Sequence, residues 1–294
     1  MRIKSKKLSD ISWRDIRNYF KTARYLETRE VTNYLDLPKK IFIETEPVFV
    51  LSTGRCGTEL LVRLLKLAKA GMILHEPRPR VFFASKMAYE MDKTQLYAKK
   101  LAFLSARYDL LKHAYLCEKR YVETSNRMTF FADAIYDLFP RSKFIHLVRH
   151  PGSFVRSGIR RNYYTGNEND DGRLIPIESD PIYNQWNNLS QIRKIGWLWN
   201  ETNRYIEKLK LSFNSNRILT IKAEDLFQKS STFLSICSFL DLKPPSEKRI
   251  KTIISKPMNK QYKGFFPKFD DWFNEQKAEL KTVVTLSKQY GYSI

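Results

Sequence analysis

The stretch Pro47-Val48-Phe49-Val50-Leu51-Ser52-Thr53-Gly54-Arg55-Cys56-Gly57-Thr58-Glu59-Leu60-Leu61-Val62-Arg63-Leu64-Leu65 reads as strand, glycine-bearing turn and helix. Such a turn aims a ring of backbone N–H groups and a helix N-terminus at one point, a place suited to an anion such as phosphate or sulfate. Gly54 and Gly57 let the backbone approach closely, Thr58 adds a hydroxyl, and Arg55 sets a permanent cation inside the turn. Taken alone, the segment also describes an ordinary strand-to-helix connection. It does not describe a Walker A loop, which needs Gly-Lys-Ser/Thr after four intervening residues. Here Gly57 is followed directly by Thr58, and the cation precedes the second glycine. The turn is built for an anion, but not for an ordinary magnesium nucleoside triphosphate.

A second segment has the same logic. Lys143-Phe144-Ile145-His146-Leu147-Val148 is a short, β-branched apolar run that reads as a buried strand. It ends at Arg149-His150-Pro151-Gly152, with Pro151 suited to the first turn of a following helix. Ser157 comes about two helical turns after Arg149, so the pair can converge on one phosphate. A surface Arg and an unrelated helix Ser would look the same.

Together the two segments resemble the sulfotransferase family that uses 3′-phosphoadenosine 5′-phosphosulfate (PAPS), of the carbohydrate and bacterial type. The resemblance implies that the first turn, Thr53, Gly54, Arg55, Cys56, Gly57, Thr58 and Glu59, binds the 5′-phosphosulfate, with Cys56 where Ser is usual. It implies that Arg149 and Ser157 bind the 3′-phosphate, and that the basic stretch Lys256–Gly264 closes over it through Lys260 and Lys263. Tyr121–Thr124 with Phe131–Pro140, and Arg217–Leu226, look like the family's third strand and helix and its last strand; the resemblance spans 47–292. It implies a P-loop-like α/β/α sandwich around a parallel sheet of about five strands, PAPS as co-substrate and no metal.

Composition agrees with one large α/β domain. The 294 residues are 43% hydrophobic, enough for a sizeable core and too apolar for a disordered chain. Cys56, Cys117 and Cys237 show neither metal-ligand spacing nor even pairing, which fits a reducing, cytoplasmic setting. No run is long and apolar enough for a membrane span or a secretion signal. The net charge of +21 calls for anionic partners, and a donor carrying phosphates and sulfate accounts for part of it. The rest fits either an anionic acceptor or membrane surface, or a general use of lysine.

Along the chain, residues 1–46 read as a helical arm, with helical spacing over 10–35, packed on a main domain at 47–294. Strands are expected near 47–52, 72–75, 120–124, 143–148 and 217–222, alternating with helices, which argues for a parallel sheet covered on both faces. Sites then lie at the carboxyl ends of the strands, where both anion motifs sit. Residues 162–183 break the pattern as a long irregular segment, a candidate lid or acceptor wall. Tyr183–Leu211 and Asp271–Tyr292 each read as one helix, Trp197, Trp199 and Tyr205 as core or cleft wall.

Sulfuryl transfer resembles phosphoryl transfer in that the protein mainly positions groups and stabilises charge. Arg55 would stand beside the leaving phosphate as an electrostatic stabiliser, because a guanidinium does not give up its proton. The acceptor hydroxyl needs a base. His75-Glu76-Pro77 follows the short strand Met72–Leu74, and the resemblance makes Glu76 the first candidate and His75 the second. Pairing of Glu76 with Arg78 or Arg80 would be the structural alternative. The leading reading is transfer from PAPS to a hydroxyl or amine of a glycan, lipid or small metabolite. A P-loop-like nucleotide kinase and a non-catalytic polyanion- or nucleic-acid-binding protein are the alternatives; no nucleic-acid-binding motif supports the last.

Overall fold

In the computed structural model, which describes residues 27–167, 170–256 and 264–294, the strands form where the apolar runs place them. They are β1 (Val48–Leu51), β2 (Met72–Leu74), β3 (Tyr121–Glu123), β4 (Lys143–Val148) and β5 (Ile218–Lys222). They make a 5-stranded sheet in the order β2-β3-β1-β4-β5, and every pairing is parallel. β1 is buried along its whole length. Its alternate side chains serve two cores: Phe49 and Leu51 face one, Val48 and Val50 the other. β4 repeats this, with Phe144 and Val148 on the first side and Ile145 and Leu147 on the second. A strand apolar on both faces is the signature of a sheet covered by helices on both sides.

The helices are α1 (Leu37–Glu44), α2 (Thr58–Leu67), α3 (Phe82–Glu90), α4 (Leu96–Leu116), α5 (Ala132–Leu138), α6 (Pro151–Ile159), α7 (Gln191–Lys210), α8 (Ala223–Gln228), α9 (Ser230–Phe239), α10 (Glu247–Ile254) and α11 (Asn274–Val283). α2, α8, α9 and α10 bury their apolar side chains against Val48 and Val50, and the remaining helices cover the other face. The fold is thus a three-layer α/β/α sandwich. Leu60, Leu61, Leu64 and Leu65 of α2 are buried, each worth about 1.5–3 kcal/mol. They hold the start of α2 rigidly beneath the glycine turn. β1 is flanked by β3 and β4, so the chain winds to opposite sides of it; a crevice opens at the carboxyl ends there.

Three element expectations need correction. Of the helix expected over 10–35, residues up to 26 lie outside the described ones, and 27–36 are irregular. The first helix among the described residues is α1, with Pro38 in its first turn and Leu37 and Ile41 buried in the main core. Tyr183–Leu211 is two elements: a 3-10 turn, Tyr183–Asn188, and then α7. The Ser190 hydroxyl accepts the Arg193 N–H at 3.3 Å and restarts the chain as a helix. Asp271–Tyr292 is likewise broken after α11, because the Asn200 side-chain oxygen takes the N–H groups of Thr285 and Leu286 at 2.9 and 3.0 Å. Among the described residues no helix is long and apolar enough to cross a membrane.

Candidate active site

The turn after β1 adopts the conformation that its glycines permit. Gly54 and Gly57 have φ of 77° and 88°, and Arg55 between them is also left-handed at 56°. A side chain at 57 would be strained by that φ, and its Cβ would meet the Phe227 ring at 2.4 Å. α2 starts at Thr58 with Gly57 as its N-cap and no side-chain cap, so its first-turn N–H groups are left for another acceptor. Thr53, Gly54, Arg55, Gly57, Thr58 and Glu59 all line one cleft. The Glu59 side chain carries the same sign of charge as a phosphosulfate, so it can favour such a group only through its backbone N–H. Cys56 differs from a cleft-facing hydroxyl. Its side chain is wholly buried, with Sγ 3.0 Å from the Gly54 carbonyl oxygen and 3.1 Å from Thr53 Oγ1. Burial pushes its thiol up to about 11.

Arg149, at the end of β4, reaches back to the turn: its Nη1 donates to the Arg55 carbonyl at 2.7 Å. Its backbone is held in turn, with Trp199 Nε1 donating to the Arg149 carbonyl at 2.7 Å and Glu224 accepting the His150 N–H at 3.0 Å. Tyr292 donates to the same Glu224 carboxylate at 2.6 Å. The Nε atoms of both Arg55 and Arg149 are buried and have no hydrogen-bond partner. Buried donors are normally satisfied, and an unmet one marks a strained site or a missing ligand. Ser157 lies on α6 at the cleft, but its hydroxyl already accepts from Arg161 Nη1 at 2.8 Å.

The cleft holds about 830 Å³, and its charge is lopsided. Arg55, Lys86, Arg127, Arg149, Arg156, Arg160, Arg161, Arg173 and Lys256 line it, against the carboxylates of Glu59 and Glu76. Burial, followed by the charges of Arg160 and Arg149, lowers the Arg156 pKa; for Arg161 burial and then the Arg55 charge act the same way. Among the described residues these cations outnumber the two carboxylates that line the cleft. An anion carrying several charges would relieve that excess. The Phe227 ring adds an apolar face beside the turn, with the Arg149 guanidinium 5.7 Å from its centre.

His75 and Glu76 both line the cleft that contains Arg55. His75 Nδ1 is 2.8 Å from the Thr124 hydroxyl, which fixes the ring. No hydrogen bond or ion pair ties Glu76 to Arg78 or Arg80 among the described residues. Its backbone is left-handed, with φ 46°. Lys260 and Lys263 lie outside the described residues. Next to that segment, Lys256 lines the cleft and the Gly264 carbonyl accepts from Arg160 Nε at 2.9 Å.

Part of the long irregular segment also reaches the cleft, through Tyr163, Gly172, Arg173 and Leu174. One carboxylate gathers its first turn. Asp170 accepts the N–H groups of Tyr164, Thr165, Gly166 and Asn167 at 2.9–3.2 Å and Arg173 Nε at 2.7 Å. Sequence reading passed over Arg127, Arg173, Lys86 and the arginines of and just after α6. Arg156, Arg160 and Arg161 fall inside a stretch dense in charge, and their spacing from Arg149 was the available signal. Arg127 follows the end of β3, where the strand-end rule points. Among the described residues no group of His, Cys, Asp and Glu is arranged to hold a metal ion.

The family model described as the sulfotransferase family matches residues 47–246, and the chain belongs to that family. No curated protein sequence matches it. Among solved structures, sulfotransferase STF9 from Mycobacterium avium is similar over 95% of this chain and 82% of its own, with 10% identity and a TM-score of 0.51. The sulfotransferase domain from the curacin biosynthetic pathway is 19% identical over 85% of this chain and 99% of its own, with a TM-score of 0.47. Mouse sulfotransferase SULT7A1, whose structure is complexed with PAP, is 13% identical over 85% and 88%, with a TM-score of 0.48. At such identities the likeness is one of fold.

Proposed function

We propose that this sulfotransferase takes its sulfuryl group from PAPS and passes it to a hydroxyl or amine of a glycan, lipid or small metabolite. The observation that carries the donor reading is the pair of buried, unpartnered Nε donors of Arg55 and Arg149 at the uncapped start of α2. The cleft suits a nucleotide with anionic groups at two places. The 5′-phosphosulfate would lie against the backbone N–H groups of 53–59 and the Thr58 hydroxyl. The 3′-phosphate would lie against Arg149 and Ser157, with Arg161 brought to the same place by its bond to Ser157. The Phe227 ring offers the adenine an apolar face. Lys260 and Lys263 remain candidates for the 3′-phosphate from the family resemblance.

PAPS supplies an activated sulfuryl group, and the chain's residues do the rest. Arg55 stabilises the negative charge that grows on the leaving phosphate, as a preorganised cation that needs no reorganisation at the moment of reaction. Glu76 takes the proton that the acceptor hydroxyl gives up, and His75, held by Thr124, is the alternative base. We assign catalysis to residues 47–294 and treat 1–46 as an arm on it. Three free, buried cysteines fit a reducing compartment such as the cytoplasm.

Thermal unfolding with added nucleotides tests the donor. Adenosine 3′,5′-bisphosphate should raise the midpoint without magnesium, and ATP with magnesium should not. Stabilisation by ATP with magnesium alone would make the protein a kinase, and no response to either would leave a non-catalytic anion binder.

A further inference from the structure

The cleft has two arms, one on each side of β1. On the β4–β5 side stand Arg149, Ser157 and Phe227, the donor arm of the reading above. On the β2–β3 side stand His75 and Glu76, Lys86 from α3, and Arg127 from the 3-10 turn after β3. A donor whose anionic groups engage the turn and the arginines of and just after α6 leaves this second arm with two cations, Lys86 and Arg127, against the single carboxylate of Glu76, which pairs with neither.

Arg127 is the centre of that arm. Its Nη1 donates to the Gly172 carbonyl at 3.1 Å, and its guanidinium stacks 4.0 Å from the centre of the Phe82 ring. The Ser85 hydroxyl donates to the Arg127 backbone carbonyl at 2.8 Å, which ties α3, and with it Lys86, to the arginine. Among the described residues neither Arg127 nor Lys86 has a carboxylate within ion-pair distance. Arg173, which lines the same cleft, is compensated by Asp170 and stacks 3.3 Å from the Tyr163 ring centre. Burial lowers the Arg127 pKa, Glu76 opposes that, and the charge of Arg173 adds to it. The guanidinium is thus held by a carbonyl and a ring, neither of which cancels its charge. Arg is suited to a carboxylate or phosphate because its planar donors match two oxygens at once.

We propose that Arg127, with Lys86, is a specificity determinant for an acidic acceptor: an alcohol or amine that carries a carboxylate or phosphate beside the group to be sulfated. This rests on the sulfotransferase reading and names its acceptor class. The anionic group sits on Arg127 and Lys86, and the nucleophile is thereby presented to Glu76 and His75. The arrangement also accounts for part of the positive charge that the donor leaves unexplained.

The test measures binding to protein saturated with adenosine 3′,5′-bisphosphate, at constant ionic strength. The probes are glucuronate, sn-glycerol 3-phosphate and uncharged glucose. At least one acid should bind about tenfold more tightly than glucose, the size expected of a charge-assisted hydrogen bond. Arg127→Gln should abolish that advantage while changing the affinity for the bisphosphate less than about twofold. Lys86→Met, on a helix surface and without a structural partner, should reduce it in the same direction if Arg127→Gln does not fold. Whichever acid is preferred identifies carboxylate or phosphate as the recognised group. The proposal is overturned if neither acid outbinds glucose, or if the preference survives both substitutions. Failure of the bisphosphate to bind would count against the donor reading, and the acid series run without it would still judge Arg127.

Discussion

Arg149 commits one Nη to the Arg55 carbonyl and keeps a buried Nε–H unpaired, so a phosphate entering between turn and helix meets a cation already in position. Such charge-assisted bonds are worth roughly 1.5–3 kcal/mol. Arg149→Ala should therefore weaken adenosine 3′,5′-bisphosphate binding about tenfold or more, and adenosine 5′-monophosphate binding much less. Titration calorimetry with the two ligands checks this, and equal losses would remove Arg149 from the 3′-phosphate. Glu76 and His75 compete for one role because both reach the cleft. Glu76→Gln keeps shape and removes the proton acceptor, and should lower the transfer rate by about 10²–10⁴ with donor affinity intact. His75→Gln should do so if the imidazole is the base, and single-turnover rates of the two variants decide between them.

At the scale of elements, the described start of the irregular segment, 164–167, is held by the Asp170 carboxylate and not by helix or sheet. Hydrogen bonds from Arg173 and from consecutive backbone N–H groups lower the Asp170 pKa although burial opposes them. Asp170→Ala leaves those N–H groups without their acceptor, and the loss of one charge-assisted bond alone is worth roughly 1.5–3 kcal/mol. Amide hydrogen exchange at 164–167 should quicken by about tenfold or more, while the strand amides keep their rates. Unchanged exchange there would mean that the Tyr164 hydroxyl, which donates to the Leu174 carbonyl at 2.6 Å, suffices to hold the loop. The strands were legible in the sequence because a parallel strand buried on both faces is a contiguous apolar run. The breaks before α7 and after α11 were not. They depend on Ser190 restarting one helix and on Asn200 capturing backbone from 85 residues further along. The glycine turn between β1 and α2 could be read locally because its glycines, Arg55 and Thr58 are adjacent. The basic walls could not, since Lys86, Arg127 and Arg173 come from three separated segments and meet only through the fold.

The whole molecule carries a pH-sensitive group in its core. His146 of β4 is fully buried, with Nε2 2.9 Å from Asn203 Oδ1 and Nδ1 without a hydrogen bond, 3.8 Å from Glu207 Oε1. Burial, and then the charge of Lys210, lower its pKa from 6.5 to about 3, with Glu207 opposing. The unfolded chain takes up this proton near 6.5 and the native one only near 3, so between those values the unfolded state binds more protons. Stability should fall as pH falls through that window, by up to about 1.4 kcal/mol per pH unit from this group. Denaturant unfolding at several pH values should show a shallower dependence in His146→Leu than in the parent protein. Equal slopes would assign the acid sensitivity to the carboxylates that their partners hold at lowered pKa values, Glu46 and Asp170 among them.

The inward-facing thiol of Cys56 makes the glycine turn its own reporter. A maleimide or disulfide reagent reaches that sulfur only while the turn is open, because in the closed turn the thiol is buried and kept protonated by that burial. The labelling rate at this one atom therefore counts openings of the turn, and any ligand that holds the turn shut, such as the proposed donor, should slow the count without touching the sulfur.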